Sequence, residues 1–207
     1  MTAEIRRFRL GAAAVQRLLP HRPPMLFVDF VASYDRRPQP MLRAGRHVSA
    51  NDGILEGHFP KFAIWPGVFT VEGLNQACNL LATISTLEKR WAEAGREPAG
   101  LLEALRHLDQ VSEMKAPVRP DIIDPLAEVL RGAGAMVGFS AGIDVRFTAP
   151  VFPGCRLDYQ VVEAGAHEAA MRYDVEALVD GSPVAKGRLT LSRAREVPSF
   201  DALSQGR

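Results

Sequence analysis

The chain has 207 residues, 47% of them apolar, and a formal net charge of +1. That length suffices for one domain with a sizeable core. The near-neutral balance lacks the basic excess that nucleic-acid binding shows, and Cys78 and Cys155 lie far apart, without metal-ligand spacing.

Met1 to Arg9 alternates charged and apolar residues without a signal-peptide core, so the cytoplasm is the expected compartment. Arg6, Arg7, Arg9 and, further on, Lys61 are expected to be solvated surface rather than a docking patch. An alanine-rich helix is predicted over Gly11–Leu19, stopped by Pro20. His21-Arg22-Pro23-Pro24 then reads as an extended turn. A strand buried on both faces is predicted from Leu26 to Tyr34. A polar turn at 36–40 leads to a second strand, Met41–Ser49, exposed in part through Arg43, Arg46 and His47. Asn51-Asp52-Gly53 is turn chemistry.

The next stretch runs Gly57-His58-Phe59-Pro60, then Pro66-Gly67-Val68-Phe69-Thr70-Val71-Glu72. From Gly67 to Leu87 only Glu72 is charged. A helix is predicted over 66–88, with Pro66 in its first turn. Leu74, Ala77, Cys78, Leu80, Leu81 and Ile84 make it apolar on most sides, so it should be largely buried. The uncharged run is long, but its Asn, Gln, Thr and Ser content argues against a membrane span. Glu72, Gln76, Asn79 and Thr83 form one narrow polar stripe. A lone carboxylate on a buried helix is either satisfied by neighbouring backbone or is a catalytic acid or base in a desolvated cleft. His58 on the preceding loop favours chemistry. Gly73 costs helix stability, which close packing of another backbone would explain.

Glu88-Lys89-Arg90 and residues 93–97 read as solvated. Leu101, Leu105, Leu108 and Val111 then recur at helical spacing, with Pro117 and Pro120 as breakers. Asp124-Pro125 reads as the start of a second short helix, ended by Gly132 and Gly134. Glu93, Glu97, Glu103 and Asp109 make this region unsuitable for nucleic acid. His107 and His167 are expected at the surface. Strands are predicted over Val137–Thr148, Arg156–Glu163, Ala169–Val179 and Val184–Ser192, with Asp180-Gly181 as a hairpin turn. The polar tail, from about 195 to 207, should be loose. A long early helix followed by antiparallel strands gives an α+β class, a curved sheet wrapped around one central helix.

Three motifs in order carry a resemblance. Leu19-Pro20-His21-Arg22-Pro23-Pro24-Met25-Leu26-Phe27-Val28-Asp29 is the first. Gly57-His58-Phe59-Pro60 with Pro66-Gly67-Val68, Val71-Glu72 and Gln76 is the second. Ala141–Phe147 with Pro150-Val151-Phe152-Pro153-Gly154 is the third. Together they resemble the 3-hydroxyacyl-[acyl-carrier-protein] dehydratases of the hotdog fold, FabZ type. The resemblance covers about two-thirds of the chain, and glutamate at 72 points to the plain dehydratase branch over the dehydratase–isomerase one. It implies one hotdog domain over 1–207, with about 89–135 as a helical insertion, read as a cap or an extra subunit contact in preference to a lid or wall of the acyl tunnel. It also implies a homodimer as the minimum active unit, with histidine and glutamate from different subunits, or a hexamer built as a trimer of dimers. The substrate would ride on the phosphopantetheine of an acyl carrier protein. No metal or further cofactor is expected.

Dehydrating a 3-hydroxyacyl thioester to a trans-2-enoyl thioester needs a base for the proton alpha to the carbonyl, an acid for the leaving hydroxyl, and donors for the charge on the thioester oxygen. His58 fits the base and Glu72 the acid. The Gly67 N–H at the positive end of the helix fits the oxyanion donor, with glycine admitting the thioester closely. These roles match the resemblance. Phe59 and Val68 are expected to wall the thioester site, and Gln76 to orient Glu72 or a water, or simply to make a structural hydrogen bond. His21 and Arg22 read as structural or tunnel-edge residues. Lys61–Trp65 departs from the family pattern, and the bulk of Phe62 and Trp65 would reshape the tunnel or its entrance. Two rival readings are a hotdog acyl-thioesterase, which would release free thiol, and a non-catalytic acyl-binding or subunit-partner protein. The His58/Glu72 pair argues against both.

Overall fold

The computed structural model describes residues 8–36, 38–133, 139–167 and 170–192. A short helix α1 (Ala12–Leu18) precedes strands β1 (Phe30–Asp35) and β2 (Met41–Val48). A single 3-10 turn at Gly53–Glu56 leads to the long helix α2 (Gly67–Glu93), then α3 (Pro98–Ser112) and α4 (Pro120–Ala133). Four strands close the chain: β3 (Ser140–Phe147), β4 (Cys155–His167), β5 (Ala170–Val179) and β6 (Ser182–Ser192). The six strands form one antiparallel sheet in the order β1-β2-β4-β5-β6-β3. Register irregularities in β1, β3, β4 and β5 are the kind that bend a sheet.

The α+β expectation therefore holds: α2 lies across the sheet, touching β2, β3, β4 and β5. Alternation puts Leu157, Tyr159 and Val161 of β4 and Tyr173, Val175 and Ala177 of β5 against it, all buried. From the helix come Leu74, Ala77, Cys78, Leu80, Leu81 and Ile84, each fully buried. The hairpin between β5 and β6 turns at Asp180 (φ 50°) and Gly181 (φ 78°), the two positive angles that a tight hairpin asks for.

Several boundaries differ from the sequence reading. The first strand begins at Phe30, not Leu26, although Leu26, Phe27 and Val28 are buried. Side chains hold that backbone: the Phe27 N–H donates to Gln76 Oε1 and the Leu26 carbonyl accepts from Arg46 Nη1. Arg46 is accordingly no solvated residue. It packs over the rings of Phe27 and Trp65, and its other nitrogen meets Asp52 at 3.0 Å.

The central helix continues past 88 to Glu93. Trp91 is buried there and donates from its indole to the Glu97 carbonyl. Glu88 is held rather than solvated, accepting from the Tyr34 hydroxyl at 2.7 Å. The crowding at Gly73 comes from the ring of Tyr159 and not from backbone. The second inserted helix starts at Pro120, one turn before Asp124-Pro125, so Pro125 lies inside it. Arg119 supplies the first carbonyl, to the N–H groups of Ile122 and Ile123. Gly134 and the polar tail lie outside the described residues, as do Arg6, Arg7 and the side chain of His167. Arg9 and Lys61 are exposed, as expected.

Helices α3 and α4 pack on one another and on α2, and α3 also touches α1. Leu101, Ala104, Leu105 and Leu108 are the buried face of α3. Asp109 accepts the Gly11 N–H at 2.6 Å, tying the start of α1 to the inserted helix. His107 is buried, contrary to the sequence reading, because its Nε2 accepts the Arg119 N–H at 3.2 Å and fixes the turn into α4.

Candidate active site

The loop that carries His58 is wound tightly by its own backbone. Phe59 and Phe62 exchange hydrogen bonds, Ile64 N–H donates to the His58 carbonyl, and Trp65 N–H is anchored on Val151. His58 is half-buried, and its Nδ1 lies 2.8 Å from the Ile64 carbonyl oxygen. A carbonyl can only accept, so Nδ1 carries the proton and the neutral ring keeps its lone pair on Nε2. The Phe59 ring stacks on the imidazole at 4.4 Å.

His58 and Gly67 share a cavity of about 450 Å³ with Ile64, Trp65, Thr70, Phe147, Thr148, Ala149, Pro150, Val151 and Val184. Gly67 is the first residue of α2, after Pro66 as N-cap. Its N–H is among the four without a partner inside the helix, at the positive end of the helix dipole. A Cβ here would stand 2.9 Å from the Phe147 ring, so the space that glycine opens is filled in this chain by that ring.

Glu72 is not part of this cavity. Five residues after Gly67 it lies about 140° round the helix and about 7.5 Å along it. Its Oε1 accepts from Gln76 Nε2 at 2.9 Å and faces His21 Nε2 at 3.6 Å. Gln76 is fully buried and locked at both ends: Phe27 N–H donates to its Oε1, and its Nε2 also donates to the Met25 carbonyl. A backbone N–H must meet the amide oxygen and a carbonyl the amide nitrogen, so its orientation is fixed by the network. The rest of the polar stripe, Asn79 and Thr83, is buried.

Within one chain, then, the structure groups the sequence-predicted residues into two clusters. His58 and Gly67 form one, and Glu72 with Gln76 the other. Phe59 and Val68 are 55% and 69% exposed; within a single chain Phe59 touches the first cluster through its stacking on His58, and Val68 lines neither. His21, read from sequence as structural or tunnel-edge, stands against Glu72. Phe147 and Thr70, which lie within the quoted motif stretches but carry no assigned role from sequence, also line the first cluster. Phe147 sits eighty residues from Gly67, and only the sheet order, which sets β3 at the edge beside β6, brings it there. Phe62 packs edge-on against Phe152 at 5.6 Å, and both rings are largely exposed, whereas Trp65 is buried. No helix among the described residues is long and apolar enough to cross a membrane.

Residues 19–116 match the FabA-like domain family. The chain is 31% identical over 177 residues to the 3-hydroxyacyl-[acyl-carrier-protein] dehydratase FabZ of Anaeromyxobacter sp. (strain K), covering 86% of each chain. It is likewise 31% identical over 183 residues to FabZ of Escherichia coli O9:H4 (strain HS), covering 88% of this chain and 91% of that one. Among solved structures, the dehydratase heterocomplex ApeI:P from Xenorhabdus doucetiae aligns with a TM-score of 0.51 at 20% identity, over 92% of this chain and 95% of that one, a likeness of fold. A sheet wrapped on a long helix, with a histidine loop before that helix and Glu72 as the one charged residue of its first 21, defines a hotdog-fold protein of the dehydratase type. The chain belongs to the FabA-like dehydratase family, among the relatives of FabZ.

Proposed function

We propose that this protein removes water from a 3-hydroxyacyl thioester, presented on the phosphopantetheine of an acyl carrier protein, to give a trans-2-enoyl thioester. The pathway would be fatty-acid, polyketide or specialised lipid synthesis in the cytoplasm. The observation that carries this reading is the His58 tautomer, with Nδ1 tied to the Ile64 carbonyl and the basic Nε2 left for the cavity at the start of α2.

In this scheme His58 Nε2 takes the proton from the carbon alpha to the thioester carbonyl. The electron pair moves into the new carbon–carbon double bond through an enolate, whose oxygen charge is met by the Gly67 N–H. The bond from the beta carbon to its hydroxyl breaks, and the proton of Glu72 goes to that hydroxyl as water leaves. His58 ends protonated and Glu72 ionised; exchange with solvent returns both.

The separation of His58 from Glu72 within one chain supports a homodimer in which each site takes its histidine loop from one copy and its glutamate from the other. Strand β3 suits that contact. It is one of the two edges of the sheet, and Ile143 and Phe147 on it are exposed. Phe59 and Val68, exposed in the single chain, would then wall the shared site. The whole chain reads as one hotdog domain, with α3 and α4 as an inserted cap; neither helix lines the cavity beside His58.

A series of 3-hydroxyacyl thioesters differing in chain length and carrier, followed by mass spectrometry, tests the proposal. The expected result is an enoyl thioester lighter by one water, formed by wild type and not by His58→Ala or Glu72→Gln, with both variants folded. Release of free thiol without enoyl product would instead make the protein a thioesterase, and binding without turnover a non-catalytic acyl-binding or subunit-partner protein.

A further inference from the structure

Glu72 presents its two carboxyl oxygens to different surroundings. The Gln76 amide donates to Oε1, and His21 Nε2 faces the same oxygen. His21 Nδ1 is buried without a hydrogen-bond partner. Burying an N–H with nothing to accept it is costlier than leaving a lone pair unmatched. The neutral ring therefore keeps its hydrogen on Nε2, the nitrogen that looks at Glu72. The backbone that carries the ring is held as well: the Arg22 guanidinium donates to the carbonyls of both Leu19 and His21. At 3.6 Å the His21–Glu72 contact is longer than a hydrogen bond, within the range that tightens when a reacting complex forms.

We propose that His21 is a positioning residue for the dehydration, acting through Glu72. A neutral carboxyl group has one oxygen that can only accept and one that carries the proton. The Gln76 donor on Oε1, joined by His21 Nε2 as that contact tightens, assigns this oxygen the accepting part, so that Oε2 carries the proton and delivers it to the leaving hydroxyl. When the proton has gone, the same two donors face a carboxylate, to which hydrogen bonds are stronger. The interaction thus grows along the reaction coordinate, which places its effect on turnover more than on substrate binding. The segment 21–27 acts as a clamp with two jaws, His21 on Glu72 and the backbone of Met25 and Phe27 on Gln76.

This inference rests on the dehydratase reading, and the experiment separates the two. Wild type, His21→Leu, His21→Gln and Glu72→Gln are compared for kcat and KM on a 3-hydroxyacyl thioester, with folding followed by urea denaturation. Removing the ring donor in His21→Leu should lower kcat roughly 10- to 100-fold, a part of what general acid catalysis supplies, and change KM by less than about threefold. His21→Gln, which retains an N–H at comparable reach, should recover much of the loss. A His21→Leu chain with wild-type kcat, or one whose defect lies in KM and is not relieved by glutamine, overturns the positioning role. Should His21→Leu fail to fold, His21→Asn takes its place, being polar but too short to reach Oε1; wild-type turnover in that variant is equally fatal. Wild-type protein that makes no enoyl product, or Glu72→Gln that turns over normally, overturns the dehydratase reading itself.

Discussion

The phenol oxygen of Tyr159 lies 2.2 Å from the point that a Cβ on residue 73 would occupy, and the ring carbon bearing it lies at 2.3 Å. Glycine is at this position of α2 because β4 drives an aromatic ring against the helix backbone. Gly73→Ala should therefore destabilise the protein by about 1–3 kcal/mol through overpacking, more than the roughly 1 kcal/mol that alanine contributes to a helix interior. Tyr159→Phe should be neutral or slightly stabilising, since the hydroxyl is buried without a partner. It should not rescue Gly73→Ala, because the ring carbon still clashes; Tyr159→Leu should. Urea denaturation of wild type, the three single variants and the two double variants decides it, and a Gly73→Ala protein as stable as wild type would contradict the packing described.

Gln76 joins the fold to the candidate site. Replacing it with leucine, of similar size, leaves the buried Phe27 N–H and the partly buried Met25 carbonyl without their partner. The expected cost is about 1–3 kcal/mol for an orphaned buried group, accompanied by loss of turnover, since Glu72 loses its donor too. Stability and kcat measured on the same preparation check this. A variant with full activity would mean that Gln76 serves the fold alone.

Much of this arrangement was legible in the sequence, and its gaps have physical causes. The helix carrying Glu72 announced itself through an uncharged run, and the late strands through alternation, as in Met171, Tyr173, Val175 and Ala177. The end of α2 was misread because Glu88-Lys89-Arg90 looks solvated one residue at a time. The buried Trp91 and the Tyr34 hydroxyl on Glu88 are long-range facts that no local pattern encodes. The same holds for Leu26–Val28, apolar enough for a strand yet bonded to side chains of Gln76 and Arg46. His21 lay inside a recognised motif, but its place against Glu72 depends on how the turn at 20–25 folds back on the helix. His107 was misplaced because a histidine among charged residues reads as surface unless the partner, the Arg119 N–H, is known.

All three tyrosines, Tyr34, Tyr159 and Tyr173, have their phenols held above the ordinary value by burial, and Tyr34 further by its bond to the ionised Glu88. A raised pKa in the fold means that the unfolded chain loses its phenol protons first. The contribution of these groups is fully present below about pH 10 and falls away as pH climbs beyond it. Urea midpoints should thus decline above about pH 10. Tyrosinate absorbance near 295 nm should appear together with unfolding and not before it. Tyrosinate forming in a protein that retains its circular dichroism would show that these phenols are open to solvent.

His58 and Glu72 belong to different clusters within one chain, and this allows a test of their meeting between two. Each site of a twofold dimer would draw its imidazole from one copy and its carboxyl from the other. His58→Ala and Glu72→Gln homodimers should both be inactive. Mixed and allowed to exchange subunits, half of the dimers become heterodimers. In each of these one site carries both substitutions and the other carries neither. Equal mixing should therefore restore about a quarter of wild-type turnover, rising with the time allowed for exchange and absent when the homodimers are crosslinked beforehand. A site contained within one chain predicts no recovery at all, since every subunit in the mixture would be defective. Enoyl thioester formation measured across mixing ratios separates the two cases, with the maximum at equal amounts expected from a shared site and a flat line at zero from a self-contained one.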